Sequence, residues 1–295
     1  MNNDLNGVLA AVTTPFKQDK IFLEKFKENI LKYDIFDLKG YIVSGTTGEI
    51  PLLSDEESEK LVQTAKETAS SGKVIIAGTA KESTKHTIEL SNRMAQYGIH
   101  SVLVRTPGYY RAQMTREALR EYYLNIADHI KVPLIVYNIP EKTGVSMEGT
   151  LIAELSSHPN IAGIKDSSGN LTLLGEVKSH CHSDFSWLMG AGSVFVPSLF
   201  MGADGGILRL ADVAPLQCVQ MYELSVTGNI SGAYELQRKL IPINNAITKI
   251  YGLPGLKTAL DLIGFYGGPV RSPLCPLDEA SIKKIKETLR DADLV

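Results

Sequence analysis

Eight short apolar runs recur along the chain, at Val8–Val12, Tyr41–Val43, Val74–Ala77, Val102–Val104, Pro133–Tyr137, Ile161–Ile164, Phe185–Met189 and Gly206–Leu210. Most are near-continuous Val, Ile, Leu and Ala, which suits parallel strands buried on both faces. Helical spacing fills the stretches between them. Ser54 and Glu57 form an S-x-x-E capping box, and Leu61, Val62, Ala65 and Ala69 then share one face. Leu90, Met94 and Tyr97 give a second stripe, and Leu119, Tyr122, Tyr123, Ile126 and Ile130 a third. Strands alternating with helices predict a (β/α)8 TIM barrel, with a doubly wound open sheet as the rival, because alternation does not dictate closure. After the eighth run, Pro215–Val226 reads as the closing helix. Segments near 230–250, 255–266 and 278–292 read as further helices, punctuated by Leu-Pro-Gly at 253–255 and Tyr-Gly-Gly-Pro at 266–269. The expected organisation is a catalytic barrel over residues 1–227 and a C-terminal helical appendix over 228–295 packed on it.

Composition narrows the function classes. The 295 residues are 44% hydrophobic, enough for one large core. A net charge of −3 offers no basic field for nucleic acid. Cys181, Cys218 and Cys275 are odd in number and far apart, which argues against a disulfide framework or zinc site and for a reducing, cytoplasmic setting. The first apolar run lacks the length and basic flank of a signal peptide, and no stretch approaches a membrane span. His180-Cys181-His182 reads as a surface segment rather than a metal site. Gly190-Ala191-Gly192 lacks the third glycine and downstream acid of a dinucleotide fingerprint.

In a barrel of this kind the chemistry lies at the C-terminal ends of the strands. Lys165 follows the sixth run, where low-dielectric surroundings would disfavour its ammonium and free an amine to attack a carbonyl. Tyr137 ends the preceding run, so its phenol would lie nearby and could relay protons. The turn Gly45-Thr46-Thr47-Gly48-Glu49 offers two hydroxyls and several backbone N–H groups to a carboxylate. Taken singly, each has a plainer reading: a solvated lysine, a core tyrosine, an ordinary turn.

Together these segments are more specific. Gly45-Thr46-Thr47-Gly48-Glu49, Tyr137-Asn138-Ile139-Pro140 and Gly163-Ile164-Lys165-Asp166-Ser167-Ser168 resemble the motifs of the dihydrodipicolinate synthase/N-acetylneuraminate lyase family. The similarity runs from Val12-Thr13-Thr14-Pro15-Phe16 to Tyr266-Gly267-Gly268-Pro269. The resemblance implies a class I aldolase in which Lys165 forms a Schiff base with pyruvate, Tyr137 and Thr46 pass protons, and Thr46 and Thr47 hold the carboxylate. It places Gly190 and the backbone of Ile207 beside the pyruvate site, and implies that Tyr109 or Tyr110 is inserted from a neighbouring subunit of a homotetramer built as a dimer of dimers. No metal or organic cofactor is implied, because the protonated imine is itself the electron sink.

The second substrate is an aldehyde. Synthases of this family usually carry an arginine two residues after the proline of Y-N-x-P; here that position is Lys142, a point charge rather than a planar fork. Pro107-Gly108-Tyr109-Tyr110-Arg111, Pro159-Asn160-Ile161 and Tyr251-Gly252-Leu253-Pro254-Gly255-Leu256-Lys257 are similar to 4-hydroxy-2-oxoglutarate aldolases. The sequence therefore leans to that aldolase, joining or releasing pyruvate and glyoxylate, with dihydrodipicolinate synthase as the alternative. N-acetylneuraminate lyase and a catalytically silent keto-acid-binding barrel come after these.

Overall fold

The structure is a computed structural model that describes residues 5–295. Its eight parallel strands are β1 (Gly7–Ala11), β2 (Gly40–Val43), β3 (Val74–Gly78), β4 (Ser101–Arg105), β5 (Leu134–Asn138), β6 (Ile161–Asp166), β7 (Ser186–Met189) and β8 (Gly205–Leu208). β1 pairs with both β2 and β8, so the sheet closes and the open-sheet rival is excluded. The helix after each strand covers the outside: Leu23–Tyr33, Asp55–Thr68, Thr84–Ala95, Arg116–His129, Gly149–Leu155, Leu171–Val177, Phe195–Phe200 and Pro215–Val226.

Strand parity divides the core in two. Leu9, Ala11, Ile42, Ile76, Leu103, Ile135, Leu188 and Ile207 fill the interior of the barrel. Their sequence neighbours, such as Val8, Tyr41, Ile75, Val136, Trp187 and Leu208, pack outward against the helices. Both faces are apolar because successive side chains point to opposite sides of each strand.

The expected capping box forms, with Glu57 N–H donating to Ser54 Oγ at 3.2 Å and Ser54 N–H donating to Glu57 Oε2 at 3.1 Å. Some boundaries differ from the sequence reading. The third helix ends at Ala95, so Tyr97 lies beyond it, and a two-stranded hairpin, Phe16–Lys17 with Lys20–Ile21, was not foreseen. The eighth strand stops at Leu208; Leu210 begins a short helical turn, Leu210–Val213.

The C-terminal helices are Ile230–Asn245, Gly252–Leu262 and Glu279–Asp291, the first passing directly into a π-helical turn at Ala246–Ile250. Leu240, Ile243, Ile247, Leu256, Leu260, Ile285 and Leu289 join the outer apolar core. Reciprocal bonds between the Asn29 side-chain amide and the Tyr266 backbone, at 2.8 and 2.9 Å, tie the segment to the first helix. No helix among the described residues is long and apolar enough to cross a membrane.

Candidate active site

The same parity that fills the barrel aims the polar side chains. Tyr137 lies two residues beyond inward-facing Ile135, and β5 and β6 pair so that Tyr137 stands opposite Lys165. Lys165 is only 6% exposed, and its Nζ lies 4.4 Å from the centre of the Tyr137 ring. Both line a cavity of about 330 Å³ at the C-terminal mouth of the barrel, together with Thr47, Gly190, Ile207 and Lys142.

Lys165 has no carboxylate partner among the described residues. Burial holds its ammonium below the ordinary lysine range; the Tyr137 phenol pulls the other way and nearby Arg209 adds to the lowering. Burial alone would raise the Tyr137 phenol, but the Lys165 charge, hydrogen bonds with Ser167 and Thr46, and Arg209 outweigh it and lower it. A buried amine with lowered proton affinity beside a phenol is the pairing that carbonyl condensation needs, one group adding and the other transferring protons.

The turn after β2 is held under local strain. Ser44 and Glu49 adopt left-handed φ of 54° and 62°, bracketing Gly45-Thr46-Thr47-Gly48. Thr47 is buried, and Thr46 reaches Tyr137. Glu49 is fixed by Lys257 from the C-terminal segment: their side chains pair at 2.6 Å and are 0% and 1% exposed. Lys257 Nζ also donates to Thr14 O at 2.8 Å and Pro269 O at 2.7 Å, and Arg271 N–H donates to Glu49 Oε2 at 3.0 Å.

Gly190 is placed by close approach. A Cβ there would lie 2.0 Å from Ser167 Oγ, the hydroxyl that donates to Tyr137 Oη at 3.4 Å. Ile207 lies fully buried in the barrel interior. Lys142 reaches the rim, where it is 51% exposed and pairs with Glu141 at 2.9 Å. Tyr109 and Tyr110 do not join this cavity within their own chain. They stand edge to face, 5.1 Å between ring centres, and are 79% and 67% exposed. Glu82 accepts the backbone N–H of both Gly108 and Tyr109 at 3.0 Å and pairs with Arg105, fixing the base of that loop. Cys181 is partly buried between exposed His180 and His182. Among the described residues no group of three or more His, Cys, Asp or Glu side chains is placed to hold a metal ion.

The sequence reading passed over Arg209. It was counted inside the eighth apolar run, yet it shares parity with Ile207 and so points into the barrel mouth. An arginine two residues after an inward-facing isoleucine was the available signal. Asn244 and Thr248, from the helix end and π-helical turn of the C-terminal segment, complete the wall; nothing local in sequence joins them to the barrel.

The profile of the Dihydrodipicolinate synthetase family matches residues 4–292. The chain is 34% identical to the 4-hydroxy-tetrahydrodipicolinate synthase of Archaeoglobus fulgidus over 290 residues, covering 98% of this chain and 99% of that one. It is 33% identical to the enzyme of the same name from Geobacter metallireducens, again covering 98% and 99%. Among solved structures, dihydrodipicolinate synthase from Thermotoga maritima superposes with a TM-score of 0.93 at 30% identity, covering 99% of this chain and 100% of that one. The Acinetobacter baumannii enzyme complexed with pyruvate gives a TM-score of 0.94 at 27% identity, with coverage of 99% and 100%. A monomeric dihydrodipicolinate synthase variant gives 0.94 at 30% identity, covering 100% and 99%.

Proposed function

Because the chain belongs to the dihydrodipicolinate synthetase family, we propose that it condenses pyruvate with aspartate semialdehyde through a Schiff base on Lys165, as a 4-hydroxy-tetrahydrodipicolinate synthase. That it is a pyruvate-dependent class I aldolase follows from the family. The observation that carries the assignment of roles is the buried Lys165 amine opposite Tyr137, with the Thr46-Thr47 turn beside them.

In this reading the neutral Lys165 amine adds to the ketone carbon of pyruvate. Tyr137, hydrogen-bonded to Thr46 and Ser167, delivers a proton to the departing hydroxyl, and water leaves. The protonated imine withdraws electrons, a methyl proton is lost, and the enamine carbon attacks the aldehyde carbonyl. Hydrolysis of the imine then releases the product and the amine. Thr46 and Thr47 hold the pyruvate carboxylate, and the Gly190 and Ile207 backbones line its site. The exposed Tyr109–Tyr110 pair supports a role for one of them in the site of a neighbouring copy, within a cytoplasmic homotetramer assembled as a dimer of dimers.

One observation favours a second reading, 4-hydroxy-2-oxoglutarate aldolase. Lys142 presents an exposed ammonium, paired with Glu141, where synthases usually carry an arginine fork. Borohydride reduction with and without pyruvate, followed by peptide mapping, tests the shared chemistry: label appears on the Lys165 peptide only with pyruvate, and not in Lys165→Ala. The ratio of kcat/KM for aspartate semialdehyde to that for glyoxylate decides between the readings. A preference for glyoxylate by orders of magnitude overturns the synthase assignment.

A further inference from the structure

We infer that Arg209 is the specificity anchor of the second substrate, binding the carboxylate of an acid aldehyde as a planar fork. This rests on the Schiff-base reading above and holds for either aldehyde considered there. The first support is the state of the guanidinium. Arg93, Arg105, Arg116, Arg120 and Arg271 are each paired with a carboxylate on the protein. Arg209 has no such partner among the described residues, although it lines the cavity that holds Lys165. Among the described residues only two of its N–H groups are engaged: Nε donates to Thr47 Oγ1 at 3.4 Å and Nη1 to Ile247 O at 3.1 Å. A guanidinium has five N–H donors and stays charged, so a forked face is left for an incoming anion.

Position supplies the second support. Arg209 also lines an adjoining cavity of about 610 Å³, walled by Thr46, Leu52, Tyr251, Leu253 and Leu274. It therefore stands at the junction between the space over Lys165 and the space from which an aldehyde would approach. Its bond to Thr47 sets it beside the turn assigned to the pyruvate carboxylate, and its bond to the Ala246–Ile250 π-helical turn holds it from the other side.

Asp212 acts on Arg209 through space but forms no salt bridge or hydrogen bond with it. Among the described residues neither of its carboxyl oxygens has a hydrogen-bond partner, and burial pushes the group well above the usual carboxylate range. Neither Asp212 nor Glu141, the other carboxyl group that acts on the guanidinium through space, occupies its forked face. The cavity thus selects an anionic aldehyde, and a neutral one of the same size leaves the guanidinium unpaired.

The test is Arg209→Gln and Arg209→Lys, assayed with saturating pyruvate against aspartate semialdehyde, glyoxylate and a neutral aldehyde such as propionaldehyde. For Arg209→Gln, kcat/KM should fall for acid aldehydes by roughly 10- to 100-fold more than for the neutral one. Arg209→Lys should recover part of the difference, since it keeps charge without the fork. Pyruvate-dependent borohydride labelling of each variant reports that the fold and the first half-reaction survive. Equal losses for acid and neutral aldehydes, with labelling intact, would overturn the Arg209 assignment alone. A selective rise in the KM for pyruvate, with aldehyde discrimination unchanged, would move the residue to the pyruvate carboxylate and equally overturn it. Absence of labelling in the unaltered protein would defeat the Schiff-base reading first, and this inference with it.

Discussion

Replacing Lys257 by methionine isolates the most fully buried ion pair described here. The substitution keeps length and volume but removes the ammonium that lies 2.6 Å from Glu49, in a setting where both side chains are at most 1% exposed. Glu49 would keep one bond, from Arg271 N–H. Breaking a buried pair by removing one partner costs about 3–5 kcal/mol, because the surviving charge stays desolvated. The carbonyls of Thr14 and Pro269 also lose their donor. For a chain of this length the conversion is roughly 2 °C per kcal/mol, so the melting temperature should fall by about 6–10 °C. Differential scanning calorimetry at neutral pH measures it. The double variant Glu49→Gln/Lys257→Met removes both charges and should regain at least half of the loss. A single-variant fall below about 2 °C, or a double variant no more stable than the single, refutes the view that an uncompensated carboxylate dominates. Turnover should fall in the single variant too, because Glu49 closes the turn that carries Thr46 and Thr47.

Three other outcomes follow from the geometry. Gly190→Ala forces a methyl to within 2.0 Å of Ser167 Oγ, displacing the hydroxyl that holds Tyr137; kcat should drop about tenfold while KM for pyruvate changes less, and a near-normal kcat would show that Ser167 does not position the phenol. The neutral amine of Lys165 is the reacting form and burial, aided by Arg209, lowers its proton affinity, so the rate of pyruvate-dependent borohydride trapping should rise with pH along a limb centred below the ordinary 10.5; Arg209→Gln should move that limb to higher pH, and an unmoved limb contradicts the electrostatic coupling. If Tyr109 or Tyr110 completes a neighbour's site, the corresponding Tyr→Phe variant should lose roughly 10²-fold in kcat, and mixing it with Lys165→Ala subunits should restore part of the activity; no recovery on subunit exchange counts against a borrowed tyrosine.

Much of this was legible in the sequence because the barrel repeats one physical pattern. Strands buried on both faces need continuous apolar residues, so the runs from Val8 to Leu210 marked the ring, and the polar residues at their ends marked Tyr137, the last of its run, and Lys165, the first past its own. Boundaries blurred where polarity and strand geometry disagree: Lys165 and Asp166 are inside β6, and Arg209 lies just outside β8. The C-terminal side of the cavity was hidden for a different reason. Its wall comes from Asn244 and Thr248, and its turn is secured by Lys257, residues that meet the barrel only through the packing of the C-terminal helices. No local periodicity encodes that a lysine after Leu-Pro-Gly will pair with a glutamate in the turn after β2. The helices and apolar stripes of that segment were readable; its contribution to the cavity was not.

The Lys257–Glu49 contact also joins segments that leave the ribosome at different times. A nascent chain on the ribosome contains all eight strands once Leu208 has been added, and Lys165 is among them. The turn of Thr46 and Thr47 is nevertheless secured by an ammonium added only later, at Lys257. Translation products cut short before Lys257 would carry the Lys165 amine without the ammonium that fixes Glu49. A chain truncated before Lys257 should therefore turn over substrate more slowly than one that includes it.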